Sequence, residues 1–159
     1  RRHAGLACAV GGLIQRWTAQ RLQTEQRAPA WDRMRQNAAG EQVLERAVLD
    51  IEHTDVDNCR RWIDVSVRVA MAGSTAELGV AARKPGEAAR RGEREKHTRY
   101  PGQQLTAFVV ESGGRLGGEA RQWLRRHVEE LPEDLRTSEL NRAYKAISCA
   151  VQSQLSRQL

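Results

Sequence analysis

The chain is predicted to fold as a small mixed α/β domain, on three observations. Residues 60–70 (RRWIDVSVRVA) alternate with a period of two, residues 117–131 and 137–159 repeat their apolar positions at helical spacing, and turn formers punctuate the segments between. With 159 residues, the chain is long enough for one domain with a core of its own.

Residues 5–24 predict an amphipathic helix, with Leu6, Val10, Leu13, Ile14 and Trp17 on one stripe. Residues 24–42 are polar and broken by Pro29 and Gly40, and are expected to form an irregular connection with room for a short strand. Two strands follow. In residues 44–53 Ala47, Leu49 and Ile51 alternate with Arg46, Val48 and Asp50; in 60–70 Ile63, Val65, Val67 and Val69 alternate with Trp62, Asp64, Ser66 and Arg68. The linking HTDVDN favours a turn, so the pair is expected to form an antiparallel hairpin. Residues 75–84 and 86–99 predict a charged helix restarted at Pro85-Gly86, which suits a first helical turn. A short apolar strand is expected at 104–111, stopped by Gly113 and Gly114, then the helix 117–131. The last helix, 137–159, carries Leu140, Tyr144, Ile147, Val151 and Leu155, with Thr137 or Ser138 as its N-cap.

Composition narrows the class. Apolar residues make up 40% and charged residues 29%, a globular profile, and no stretch is long enough to cross a bilayer, so no membrane partner is expected. Residues 1–14 imitate a leader, but their apolar pattern continues into Trp17 and Leu22 at helical spacing. The chain starts at Arg1 rather than Met, and is expected to be a piece of a longer protein. Lys and Arg number 26 against 20 Asp and Glu, a charge of +6 that favours a polyanionic partner. All but Lys84, Lys96 and Lys145 of those basic residues are arginine, which fits GC-rich codon usage and also suits phosphate contacts. Cys8, Cys59 and Cys149 are odd in number, far apart and outside any CxxC pair, which points to a reducing compartment and away from a zinc knuckle.

The alternation points at a site. If the core takes the odd-numbered valines, Asp64 projects to the opposite face with Trp62 and Ser66, and Asp50 projects from the paired strand. Two close carboxylates repel unless a proton or cation lies between them, and oxygen-only ligands suit a hard ion such as Mg²⁺. Carboxylates on strands are also ordinary surface groups, so the pair alone leaves both readings open. Lys96 and Tyr100 share a helix face at i, i+4 spacing, which equally describes a solvated helix ending at Pro101. Asp55 and Asp57 sit where a turn favours Asp, without the twelve-residue calcium-loop pattern. His53, His97 and His127 are scattered, with no metal-ligand spacing between them. The stretch GGRLGG (113–118) has neither phosphate-loop signature and is expected to be a turn.

Taken together, Asp50, Asp64 within "IDVSV", Lys96 to Tyr100 as K-x-x-R-Y, and FVVESGGRLG resemble one nuclease domain. It is the restriction-like endonuclease domain at the C-terminus of non-LTR retrotransposon reverse transcriptases, a branch of the PD-(D/E)XK superfamily. Arg2-His3 and Glu25-Gln26 with Pro29 resemble the landmarks that precede its first Asp, and the similarity spans about residues 1–125. The resemblance implies a restriction-endonuclease-like core over residues 1–131, a small central sheet with a β-hairpin flanked by helices, and a helical extension over 132–159 packed on it. It implies that Asp50 and Asp64 bind Mg²⁺ or Mn²⁺, that Lys96 orients the attacking water or stabilises phosphate charge, and that Tyr100 supports the site. Glu25 would be an accessory acid; Glu111 is as readily a structural landmark as a ligand. Two positions depart from the superfamily pattern. Ser66 stands where the lysine commonly lies, and Leu49 where the motif has proline.

Beside such a site, Arg83, Arg90, Arg91, Arg94, Arg99, Arg121 and Arg125 would hold the backbone of double-stranded DNA. The expected protein is then a Mg²⁺-dependent endonuclease domain of a retroelement polyprotein. It would nick target DNA to leave a 3′-hydroxyl primer for the upstream reverse transcriptase part, inside the cell and in the nucleus of a eukaryotic host. Two rivals stay open: a decayed copy that binds DNA without cutting, and an Arg-rich helical interaction domain unrelated to nucleases.

Overall fold

The computed structural model describes residues 4–18, 20, 22–69 and 84–156. The expected helix over 75–84, residues Arg2 and His3, and Arg83 lie outside these, apart from Lys84, which is exposed. Among the described residues four helices and six strands follow in order: α1 (Ala4–Thr18), β1 (Gln23–Arg27), a single 3-10 turn (Pro29–Trp31), β2 (Arg33–Gln36), β3 (Gln42–Glu45), β4 (Val48–Thr54), β5 (Arg60–Arg68), α2 (Glu87–Arg99), β6 (Leu105–Glu111), α3 (Gly118–Glu129) and α4 (Glu133–Ser156). Strands β1, β4, β5 and β6 form one mixed sheet in that order; β2 and β3 form a separate hairpin. β1 and β5 flank β4 antiparallel, and β6 lies parallel to β5.

The hairpin expected from HTDVDN is present, closed by Asp55 N–H donating to Cys59 O at 2.9 Å and by Asn58 in the left-handed region, φ 60°. The connection expected over 24–42 is instead most of β1 and the β2–β3 hairpin. Neither shows a period of two, because neither has a buried face: Met34, Val43 and Leu44 stay exposed, and every residue of β1 but Gln26 is exposed. α1 stops at Thr18 rather than near residue 24, where the Thr18 hydroxyl turns back to Ile14 O at 2.7 Å. α4 begins at Glu133, directly after Pro132, rather than at Thr137 or Ser138. Glu133 and Asp134 favour that start through the helix dipole, and the Ser138 hydroxyl donates to Leu135 O instead of capping.

The sheet separates two apolar layers. On one face Ile51, Ile63, Val65, Phe108 and Val110 pack against Leu6, Val10 and Ile14 of α1, Trp123 and Leu124 of α3, and Ala143, Ile147 and Val151 of α4. The C-terminal helix therefore shares the core of the sheet. On the other face Ala107 and Val109 lie under Ala89 of α2, and a methyl group at Gly92 would meet Val109 Cγ1 and Arg68 Nε at 3.0 Å. That close approach brings α2 down onto the strands, which is what carries Lys96 to them.

β6 would be an open edge, but the segment entering α3 covers it: Gly117 N–H donates to Val109 O at 2.8 Å, and Ala107 N–H to Glu119 Oε2 at 2.9 Å. At the end of β6, Glu111 is buried and its Oε1 accepts the Ala89 N–H at 3.2 Å. Gly86, at the N-cap of α2, has no side chain to do this. Glu111 is thus a cap supplied from the neighbouring strand. Glu111→Ala is expected to lower unfolding stability by about 1–2 kcal/mol in urea melts, and Glu111→Gln by clearly less. Equal losses in the two variants would refute the capping role.

Candidate active site

Asp50 and Asp64 meet where the β4–β5 ladder ends. Paired residues run from Thr54↔Arg60 to Ile51↔Ile63, so the next position sets Asp50 opposite Asp64. Amides of a strand alternate in direction, and Trp62 N–H donates toward β6, so Val65 N–H points back toward β4. There it meets the Asp50 side chain in place of a backbone carbonyl, donating to Oδ2 at 2.7 Å. The strand pair is wedged open by a carboxylate. Past this point Leu49 and Ile51 part company, contrary to the single face expected for them. Ile51 joins the main core, whereas Leu49 packs with Ala28, Ala47, Trp62, Tyr100 and Leu105.

Asp64, as its alternation with Ile63 and Val65 predicts, faces α2. Lys96 Nζ lies 2.5 Å from its Oδ2, with the two side chains only 10% and 18% exposed. Burial pushes Lys96 below the usual lysine pKa, opposed by the attraction of Asp64 and Asp50. Asp50 is pushed up to about 6, first by burial and then by the charge and hydrogen-bonding closeness of Asp64, against the Val65 amide and Lys96. Three charged groups from three elements thus share one partly desolvated spot.

Tyr100 is buried beside them. Its ring lies 5.7 Å from Trp31 and beneath the Arg99 guanidinium at 5.2 Å, and burial with nearby Asp64 raises its pKa. Ser66, two residues after Asp64, is buried with its hydroxyl unpartnered among the described residues. Glu25 falls opposite Asp50 on the other side, since Thr24↔Ile51 and Gln26↔Leu49 bracket it. Its φ of 54° is uncommon for a side chain with a Cβ, a conformation that recurs at functional positions. Glu111 is not at this spot; it caps α2.

The basic residues divide. Arg90 and Arg94 pair with Glu87 at 3.0 Å, Arg91 lies 3.8 Å from Glu95, and Arg99 meets Glu45 at 2.6 Å. Arg91, Arg94 and Arg99, with Arg33, Glu95 and Thr98, line a depression of about 420 Å³ on the outer side of α2. Arg121 and Arg125 are exposed on α3.

Because the folded-state pKa of Asp50 lies above the ordinary carboxylate value, its protonation favours the folded chain. That contribution is complete below pH ~4 and is lost as pH rises through about 6. Asp50→Asn removes the ionisation penalty and keeps an acceptor for Val65 N–H. The variant is expected to be more stable than the parent by about 1–2 kcal/mol at pH 8, a value discounted for partial solvation, and equal to it at pH 4. Denaturation at the two pH values measures this; a constant difference would show that Asp50 carries no such cost.

A second cluster escaped the sequence reading. His53, Asp55 and His127, scattered along the chain, are all buried and come together, one donor atom from each lying within 4.8 Å of the others. Asp55 is more than a turn former: its carboxylate meets Arg126 at 2.9 Å, Arg61 at 3.4 Å and His127 at 3.2 Å. Burial pushes His53 down to about 4 and lowers His127 as well. The available signals were the alternation that puts His53 on the face of Ile51 and the helical spacing that puts His127 one turn after Trp123 on α3.

No family model, curated protein or solved structure matches this chain.

Proposed function

We propose that this chain is a divalent-metal-dependent DNA endonuclease domain, resembling those of non-LTR retrotransposon polyproteins, that nicks target DNA to leave a 3′-hydroxyl. The observation that carries this reading is the convergence of Asp50, Asp64 and Lys96 at the end of the β4–β5 ladder. The mixed sheet, with its β4–β5 hairpin and flanking helices, supports the restriction-endonuclease-like form of that fold.

The donor set fits the ion the resemblance implies. Two neighbouring carboxylates, one of them held at a raised pKa first by burial and then by the other, are what a hard cation relieves. Asp50 and Asp64 would hold it, and Glu25 is in register to assist. A bound Mg²⁺ or Mn²⁺ supplies charge neutralisation at a phosphate and a lowered pKa for water. Lys96, fixed against Asp64, places its charge where it orients the water or meets the phosphate. In the reaction a water oxygen bonds to phosphorus and gives up a proton to solvent, while the P–O3′ bond breaks and the leaving O3′ takes up a proton from solvent, giving a 3′-hydroxyl and a 5′-phosphate. The arginine-lined depression on the outer side of α2, with Arg121 and Arg125, would give the DNA backbone salt-sensitive contacts.

Ser66 favours a second reading, that of a copy that retains DNA binding and has lost cleavage. Incubation with supercoiled plasmid and Mg²⁺ or Mn²⁺ separates the two. Metal-dependent conversion to nicked circles supports the endonuclease; retarded DNA without nicking supports the decayed copy. Absence of both overturns each.

A further inference from the structure

We infer that His53, Asp55 and His127 form a second metal site, of the zinc type, separate from the carboxylate pair. His53 comes from β4, Asp55 from the turn that follows, and His127 from the last turn of α3. His53 Nδ1 lies 3.2 Å from Thr54 O, and His127 Nδ1 lies 2.9 Å from Trp123 O. A carbonyl only accepts, so each Nδ1 carries the hydrogen and each Nε2 keeps a bare lone pair. Both Nε2 atoms and Asp55 Oδ1 are buried without a hydrogen-bond partner among the described residues. Three converging lone pairs without a donor from the described residues are costly in a protein interior. One proton cannot settle this: placed between His127 and Asp55, it leaves His53 Nε2 unsatisfied.

The surroundings match a ligand set. Arg126 and Arg61 both address Asp55 Oδ2, which turns Oδ1 toward the imidazoles. The two carbonyls fix the ring tautomers, as outer partners of metal-bound histidines do. Two nitrogens and one oxygen suit Zn²⁺, whereas Mg²⁺ prefers oxygens in an octahedron. With ligand bonds of ~2.0–2.2 Å, two ligands of a tetrahedral ion lie about 3.3 Å apart. His127 Nε2 and Asp55 Oδ1 already stand at 3.2 Å, and His53 closes from no farther than 4.8 Å. A water completes the fourth position. The ion would tie the β4–β5 turn to the end of α3, with a structural role.

The test uses the whole chain, stripped with EDTA and titrated with Co²⁺ and then Zn²⁺. The expected result is one equivalent of Co²⁺ with tetrahedral visible absorption, its displacement by Zn²⁺, and a rise in Tm on the order of 5 °C with Zn²⁺. The signal should survive Asp50→Asn/Asp64→Asn and vanish in His53→Gln. Should His53→Gln fail to fold, X-ray absorption of the Zn²⁺-loaded parent reads the ligands directly. No tetrahedral Co²⁺ signal, loss of it in the double Asn variant, or a zinc shell without imidazole would overturn the assignment.

Discussion

Asp64→Asn is expected to lower metal-dependent nicking of supercoiled plasmid by about 10³-fold or more, the loss that follows removal of one electrostatic group from a preorganised site. The residue is fixed from both sides. Its neighbours Ile63 and Val65 are buried in the core, so Asp64 cannot rotate away from α2, and Lys96 Nζ holds its carboxylate at 2.5 Å. Alanine is the poorer test, because deleting one member of a buried ion pair leaves the other charge unpaired, at a cost of roughly 3–5 kcal/mol. Asparagine keeps the shape and a polar partner for Lys96. Retardation of a DNA fragment should be unchanged in the variant, since the arginines of α2 and α3 are untouched, and should weaken with salt as in the parent. Nicking by Asp64→Asn at the parental rate would remove the proposed site. A parent that binds DNA and never nicks it makes the chain a decayed copy, whatever the variant does.

Much of this site was legible in the sequence because it lies where periodicity is strong. In β5 the aliphatic residues fall on odd positions only, so Asp64 is assigned a side from the sequence, although Trp62 and Ser66 on the even face are buried as well. Asp50 is harder: its strand leaves the ladder at Ile51, and Leu49 then joins a different cluster from Ile51. Alternation carries no mark of such a break. β1, β2 and β3 were illegible because they are mostly solvent-exposed, and a strand without a buried face has no hydrophobic period. The His53–Asp55–His127 cluster joins residues more than seventy positions apart, brought together by packing α3 on the sheet, which no local spacing encodes. Glu111 shows the converse. Its place at a strand end near glycines fits a site residue as well as a cap, and only the Ala89 amide at 3.2 Å decides.

Lys96→Ala is expected to cost about 10²-fold or more in nicking and, separately, to move the titration of Asp50 upward from about 6. The second effect follows from charge alone. Lys96 is among the groups that hold the Asp50 pKa down, while burial and Asp64 push it up, so removing the ammonium leaves the raising influences less opposed. A proton and a divalent cation compete for the same carboxylates. The nicking rate of the parent should therefore climb as pH rises through about 6 and then level, and the climb in Lys96→Ala should lie at higher pH. Lys84→Ala supplies the control. That lysine is exposed, outside the cluster, and its loss should change neither quantity. Carboxyl NMR of the parent and both variants follows Asp50 directly, independent of catalysis. An Asp50 titration that moves upward while nicking stays at the parental level would mean that Lys96 is a buried structural cation. Unmoved titration with lost activity would leave it acting on the phosphate alone.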